Sequence, residues 1–275
     1  MYRIYPNQPF ISRSAGRERL STVLQKAPNL VTVDTTSEAL NLDNTAAAKL
    51  LSRWVQQGWL KRIHRGLYTP VPITSSPNSL VIEDAWTLVP QLFKPAYVCG
   101  ATAAQFWNLT EQLFRTVFVY TAQPVRQAEQ IFLGTPFSVH HVPARLIFGT
   151  RPVWRGQIKI EISDIHRTII DILDKPSIGG GIRHVADCLS GYLTRDDADI
   201  KQLINYAEQL KNGAVFKRLG FLAECIGQAE LVSACSARLS QGNAKLDPAL
   251  STPRLIRRWR LWVTEKWKGQ VRLND

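Results

Sequence analysis

The chain lacks cysteine pairs, long apolar runs and acidic residues in proportion to its basic ones, and each shortage excludes a class of protein. Cys99, Cys188, Cys225 and Cys235 never fall in C-x-x-C pairs, so neither a zinc site nor a dithiol redox motif is expected, and the thiols read as reduced and mostly buried. No stretch approaches the roughly 18 apolar residues of a membrane span. The first residues, MYRIYPNQPF, lack the basic leader, apolar stretch and small-residue cleavage site of a secretory signal. The expectation is a cytoplasmic protein with no membrane partner.

The deficit of acid is more informative. Thirty-four Lys+Arg stand against 22 Asp+Glu, a formal charge of +12, which favours a polyanionic partner such as nucleic acid or an anionic membrane surface, and charge alone does not choose between them. The excess lies at the ends. Residues 1–77 hold ten Lys+Arg and four Asp+Glu, residues 78–240 hold sixteen and fifteen, and residues 241–275 hold eight and three. A polyanion should therefore meet the ends, and the neutral middle should do something else. At 275 residues and 45% hydrophobic content the chain can bury two cores.

What is present in residues 1–72 reads as a winged helix-turn-helix domain behind an N-terminal extension. RERLSTVLQKA (17–27) places Leu20, Val23 and Leu24 at helical spacing, with Pro28-Asn29 as its stop. A β-type run, Val31 to Val33, follows. Thr35 with Glu38 three positions on predicts a capping box and a short helix to about Asn41. NTAAAKLLSRWVQQG predicts a third helix, capped by Asp43 or Asn44, with Ala47, Leu50, Leu51, Trp54 and Val55 on one stripe. Its other face carries Thr45, Lys49, Ser52, Arg53 and Gln56. From Trp59 the pattern alternates, predicting a hairpin that turns at Arg65-Gly66.

In such a module the third helix enters the DNA major groove, roughly 12 Å wide, and the wing lies over the backbone. Asn44, Thr45 and Lys49 would then address base edges or phosphates, with Thr35 and Ser37 on the preceding helix beside them. Arg53, Lys61, Arg62 and Arg65 would follow phosphate, and Gly66 would let the wing bend. The plain alternative for Lys49 and Arg53 is the wet side of an amphipathic helix.

PVPITSSPNS, centred on residues 73–79, predicts a linker. Residues 80–275 read as a larger α+β domain with a helical C-terminal part. A helix is expected in LVIEDAWTLVPQLF and another in YVCGATAAQFWNLT, strands at Thr116–Thr121, Phe137–Pro143 and Ile158–Ser163, then helices in DIHRTIIDILD, GIRHVADCLSGYL, DDADIKQLINYAEQL and AVFKRLGFLAECIG. Catalytic chemistry is not indicated. Asp164, Arg167, Thr168 and Asp171 share a helical face, but that spacing equally gives an Asp164 cap and an Arg167–Asp171 ion pair. His140 and His141 alternate across a strand and cannot share a metal. Gly179–Gly181 lacks the lysine of a phosphate loop. A nuclease would need acidic residues and a lysine at strand ends, and IKIEIS offers Glu161 with no lysine two positions beyond it. No catalytic residue, metal or cofactor is assigned.

Four segments in order, LKRIHRGLYTPVP, YVCGATAAQFWNLTEQ, ISDIHRTIIDILDKPSIGGGI and NYAEQLKNGAVFKRLGFLAE, resemble the AbiEi family of antitoxins, transcriptional regulators of type IV toxin–antitoxin systems. The resemblance spans roughly residues 17–230. It implies an N-terminal domain that binds inverted repeats in double-stranded DNA at its own promoter, and a C-terminal domain that counteracts a nucleotidyltransferase-like toxin, with no catalytic residues to carry over. An orphan winged-helix transcription factor with a ligand- or protein-sensing domain is the other reading, and a DNA-processing nuclease the third.

Outside that resemblance, STPRLIRRWRLWVTEKWKG predicts a basic C-terminal helix with Leu255, Trp259, Trp262 and Lys266 at near-helical spacing. Its tryptophans would dock on the second domain while Arg254, Arg257, Arg258 and Arg260 stay wet. Packing and a second DNA-contacting element both remain open, with an amphipathic membrane helix as a third option.

Overall fold

The computed structural model describes residues 13–71 and 84–267. The expected linker at 73–79 and all but the last few residues of the N-terminal extension lie outside them. The chain divides into two compact units, Met1–Ile82 and Glu83–Asp275.

The first unit runs α1 (Arg13–Lys26), β1 (Val31–Thr32), α2 (Val33–Leu40), α3 (Asn44–Gln56), β2 (Leu60–His64) and β3 (Leu67–Pro70), the element order of a winged helix-turn-helix. The three strands form an antiparallel sheet in the order β1-β3-β2. Val23 of α1, Leu51 and Trp54 of α3, and Val31, Leu60 and Tyr68 of the sheet meet in one core. The helical stripe read from the sequence is the buried one: Ala47, Leu51 and Trp54 are buried, and Leu50 and Val55 flank them.

The capping box differs from expectation. Thr32, not Thr35, is the N-cap of α2: its hydroxyl accepts from the Thr35 amide at 3.1 Å, and the Thr35 hydroxyl accepts from the Thr32 amide at 2.9 Å. Glu38 takes no part in the cap. The helix starts three residues earlier than capping-box spacing suggests because Thr32 leaves β1 in an extended conformation, φ −113°, with its hydroxyl already over the free helix end. At the other end Asn41 takes the left-handed conformation, φ 52°, which ends α2 and starts the turn.

The second unit is built on a six-stranded sheet, order β6-β7-β5-β4-β9-β8, from β4 (Ala96–Val98), β5 (Val117–Thr121), β6 (Glu129–Phe132), β7 (Thr135–His141), β8 (Thr150–Arg155) and β9 (Ile158–Ser163). The pairings β5–β7 and β4–β9 are parallel and the rest antiparallel. The three strands expected from sequence are the interior β5, β7 and β9. The three missed are the two edges and the three-residue β4. The helix expected before Phe93 shrinks to a 3-10 turn, Ala85–Leu88, and a single turn α4, Val89–Leu92; α5 (Gly100–Phe106) follows β4.

Helices α6 (Ile165–Asp174), α7 (Ile182–Leu193), α8 (Ile200–Leu210), α9 (Gly213–Cys225) and α10 (Ala229–Ser236) enclose an aliphatic core that includes Ile169, Leu189, Leu203, Leu219 and Leu231. Arg218 is buried within α9 and braces this bundle. Its Nη1 donates to the carbonyls of Leu173 and Asp174 at 2.8 Å each, and its Nε to the carbonyl of Lys245 at 3.0 Å. A guanidinium thus caps the C-terminal carbonyls of α6.

The expected basic C-terminal helix is not formed. Its residues make β11 (Arg254–Ile256) and β12 (Leu261–Val263), an antiparallel hairpin that pairs with β10 (Ala244–Lys245) in the order β10-β12-β11. The spacing of Leu255, Trp259 and Trp262 suggests a helix, yet Leu255 and Trp262 are partners across the hairpin and Trp259 sits in the turn between them. Alternation wins because Leu261 and Val263 bury one face of β12 while Trp259 fills a niche on α9.

Candidate nucleic-acid interface

The surface of α3 is set by its cap. Asp43 takes an extended conformation and its Oδ1 accepts from the Ala46 amide at 2.9 Å, so the first turn is held open-faced rather than frayed. Asn44, Thr45, Lys49, Ser52, Arg53 and Gln56 all lie exposed on the side of the helix away from Leu51 and Trp54. Ser52 returns its hydroxyl to the Ala48 carbonyl at 2.9 Å. Lys49 and Arg53 form no ion pair with a carboxylate among the described residues, so two unneutralised cations stand one turn apart on this face.

The turn into α3 is tied by Ser37, whose hydroxyl donates to the Leu42 carbonyl while the Leu42 amide donates to the Ser37 carbonyl at 3.0 Å. The Thr35 hydroxyl is held by Thr32, donating to its carbonyl at 3.1 Å. The structure therefore places Thr35 and Ser37, counted as contacts from sequence, in the cap and in the turn that aims the helix. Thr45, next to Asn44, is an exposed residue.

The wing turns at Arg65-Gly66, with Gly66 at φ +79°, the left-handed region glycine occupies freely. The ladder shifts register between Arg62 and His64. A bulge of this kind bends the strand and re-aims its side chains. Arg62, His64 and Arg65 are exposed, Lys61 is half-buried, and the Arg62 Nε donates to the His64 carbonyl at 3.3 Å. Sequence spacing gave no hint of one further contact: the guanidinium of Arg17 on α1 lies 5.9 Å from the ring centre of Trp59, at the root of the wing.

In the second unit the polar cluster that invited a catalytic reading is spent on structure. Asp164 caps α6, accepting from the Arg167 amide at 2.7 Å and from the Tyr206 hydroxyl at 2.7 Å. The Thr168 hydroxyl donates to the Asp164 carbonyl at 2.7 Å. Arg167 and Asp171 form the expected ion pair at 2.9 Å, and Arg167 also donates to the Tyr97 hydroxyl at 3.2 Å. Burial pushes the Asp171 carboxyl up to about 7, with Arg167 opposing the shift. Glu161 pairs with Lys159 at 3.0 Å across the exposed face of β9. His140 and His141 lie on opposite faces; His140 accepts from Lys175 at 2.9 Å through Nδ1 and meets Ser138 through Nε2 at 3.1 Å. Burial, then the charge of Lys175, lowers the pKa of His140. Among the described residues no cluster of three or more His, Cys, Asp or Glu could hold a metal ion, and no helix is long and apolar enough to cross a membrane.

Residues 18–71 match the family described as transcriptional regulator, AbiEi antitoxin. The matched segment is the one that folds into the three helices and the wing, so the sequence resemblance holds over the candidate interface. In fold, the chain is similar to the crystal structure of the RV2827C protein from Mycobacterium tuberculosis, with a TM-score of 0.61 and 15% sequence identity over 90% of each chain. No curated protein sequence matches the chain.

Proposed function

We propose, from the AbiEi match of its N-terminal domain, that this protein is a DNA-binding regulator that represses its own operon and serves as the antitoxin of a type IV toxin–antitoxin pair in the cytoplasm. The observation that carries the reading is the exposed face of α3, where Asn44, Thr45, Lys49 and Arg53 stand together beside a basic wing. Amide and hydroxyl groups at the leading end suit base edges, and the cations behind them suit phosphate.

The helix would enter the major groove by its N-terminal turn, where the Asp43 cap leaves Asn44 and Thr45 foremost. Arg62 and Arg65 would meet the backbone beside the groove. A regulator of this kind binds inverted repeats as two copies, each reading one half-site. The second unit, whose described polar clusters are consumed in packing, would act through its surface against a nucleotidyltransferase-like toxin rather than by chemistry of its own.

Mobility-shift assays with the DNA upstream of this gene test the first half of the reading: retention at a protein concentration that leaves an unrelated duplex free supports it, and equal affinity for both refutes it. Co-expression with the neighbouring gene tests the second half. Growth rescue that survives deletion of residues 84–267 would refute a role for the second unit.

A further inference from the structure

The C-terminal hairpin presents three arginines, Arg257, Arg258 and Arg260, in a four-residue turn between β11 and β12, since Ile256 and Leu261 are the last paired positions. The turn is anchored from below. Trp259 is fully buried, and its ring lies over Gly220 of α9 so closely that a Cβ there would come within 2.0 Å of it. Its Nε1 donates to Glu224 Oε2 at 2.5 Å. With the tryptophan pinned, its neighbours on either side point outward.

Two details separate this turn from an ordinary wet loop. Arg260 sits in the left-handed conformation, φ 49°, where a glycine or asparagine would be comfortable. Its backbone is tied on both sides, the amide donating to the Arg257 carbonyl at 3.0 Å and the carbonyl accepting from the Ala244 amide at 3.0 Å, so the turn is held in this shape. The acid supply is also uneven. Glu224 neutralises Arg258, while the Arg260 Nη1 donates only to the Ser240 carbonyl at 2.9 Å and Arg257 has no side-chain partner among the described residues. The charge of Arg260 adds to burial in lowering the pKa of nearby Lys217. Two unneutralised guanidinium groups thus stand on a rigid hairpin, with Arg254 and Lys245 on the strands beneath them.

We propose that this hairpin is a second phosphate-contacting element, which grips the backbone of double-stranded DNA without reading sequence. The physical case is charge on a fixed scaffold: guanidinium groups match phosphate geometry, and a rigid turn loses little entropy on contact. The choice of DNA as the polyanion rests on the function proposed above.

The test uses the full chain and a short duplex of unrelated sequence, with affinity followed by fluorescence anisotropy across salt concentrations. Arg257→Ala combined with Arg260→Gly removes two cations while placing glycine where the backbone favours it. The slope of log K against log salt should fall by nearly two, since each phosphate contact contributes about 0.9. Arg257→Lys with Arg260→Lys should restore it. An unchanged slope overturns the proposal, as does loss of binding to phosphatidylserine vesicles with duplex binding intact. If the glycine variant loses its native circular dichroism, Arg257→Ala alone should still lower the slope by about one. Lys49→Ala with Arg53→Ala, measured on the same duplex, separates the two ideas. A fall in that variant alone refutes the hairpin, and a fall in the hairpin variant alone refutes the winged-helix reading instead.

Discussion

Arg167 and Asp171 face each other one turn apart on α6, Nε to Oδ1 at 2.9 Å, each side chain only 1% exposed. Phe148 covers the guanidinium at 4.0 Å from its ring centre, and the Tyr97 hydroxyl bridges the pair. Removing one partner strands the other in the core. Arg167→Met should lower stability by about 3–5 kcal/mol in chemical denaturation. The loss should also depend on pH. An Asp whose folded pKa is raised binds its proton more tightly folded than unfolded, so the folded state gains below the folded pKa and loses as pH rises towards it. Without Arg167 the Asp171 shift grows, and the variant should be destabilised more in mildly alkaline than in mildly acidic buffer. Equal losses at both would mean that Asp171 is not the stranded group.

The cap of α2 gives a prediction that separates structure from sequence spacing. Thr32→Ala removes the hydroxyl that accepts from the Thr35 amide and should cost about 1 kcal/mol. Glu38→Ala, at the position spacing had favoured, should stay within about 0.5 kcal/mol of the parent. Thermal melts of the two variants side by side decide it.

Gly220 tests how the hairpin is held. Any side chain there must displace the Trp259 ring, so Gly220→Ala should destabilise the second unit by about 1–3 kcal/mol. It should also loosen the turn above, exposing Arg257 and Arg258 to trypsin. Unaltered cleavage kinetics would show that the turn does not depend on the tryptophan.

Much of the first unit was legible because its cues are local. Pro28 stops α1, Asp43 and the stripe through Leu51 and Trp54 define α3, and Arg65-Gly66 marks the wing. The interior strands β5, β7 and β9 announced themselves by β-branched alternation, since each carries a run of core-facing residues. Edge strands β6 and β8 did not, because exposure on one side frees their composition; Trp154 on β8 and Ile131 on β6 remain open to solvent. The C-terminal segment was misread for a different reason. Leu255, Trp259 and Trp262 fit a helical stripe as well as a hairpin, and only the niche at Gly220, distant in sequence, decides between them. Spacing also does not show the local partners of Thr35 and Ser37, whose hydroxyls donate to the carbonyls of Thr32 and Leu42.

The account turns on the α3 face and the wing acting together. The most direct measurement is binding of the upstream promoter duplex by the parent and by the Lys49→Ala/Arg53→Ala/Arg65→Ala variant over a range of salt. Loss of three phosphate contacts should weaken binding at every salt concentration and lower the slope of log K against log salt by between two and three, at about 0.9 per contact. A variant that binds the promoter with the parent's affinity and slope would contradict it.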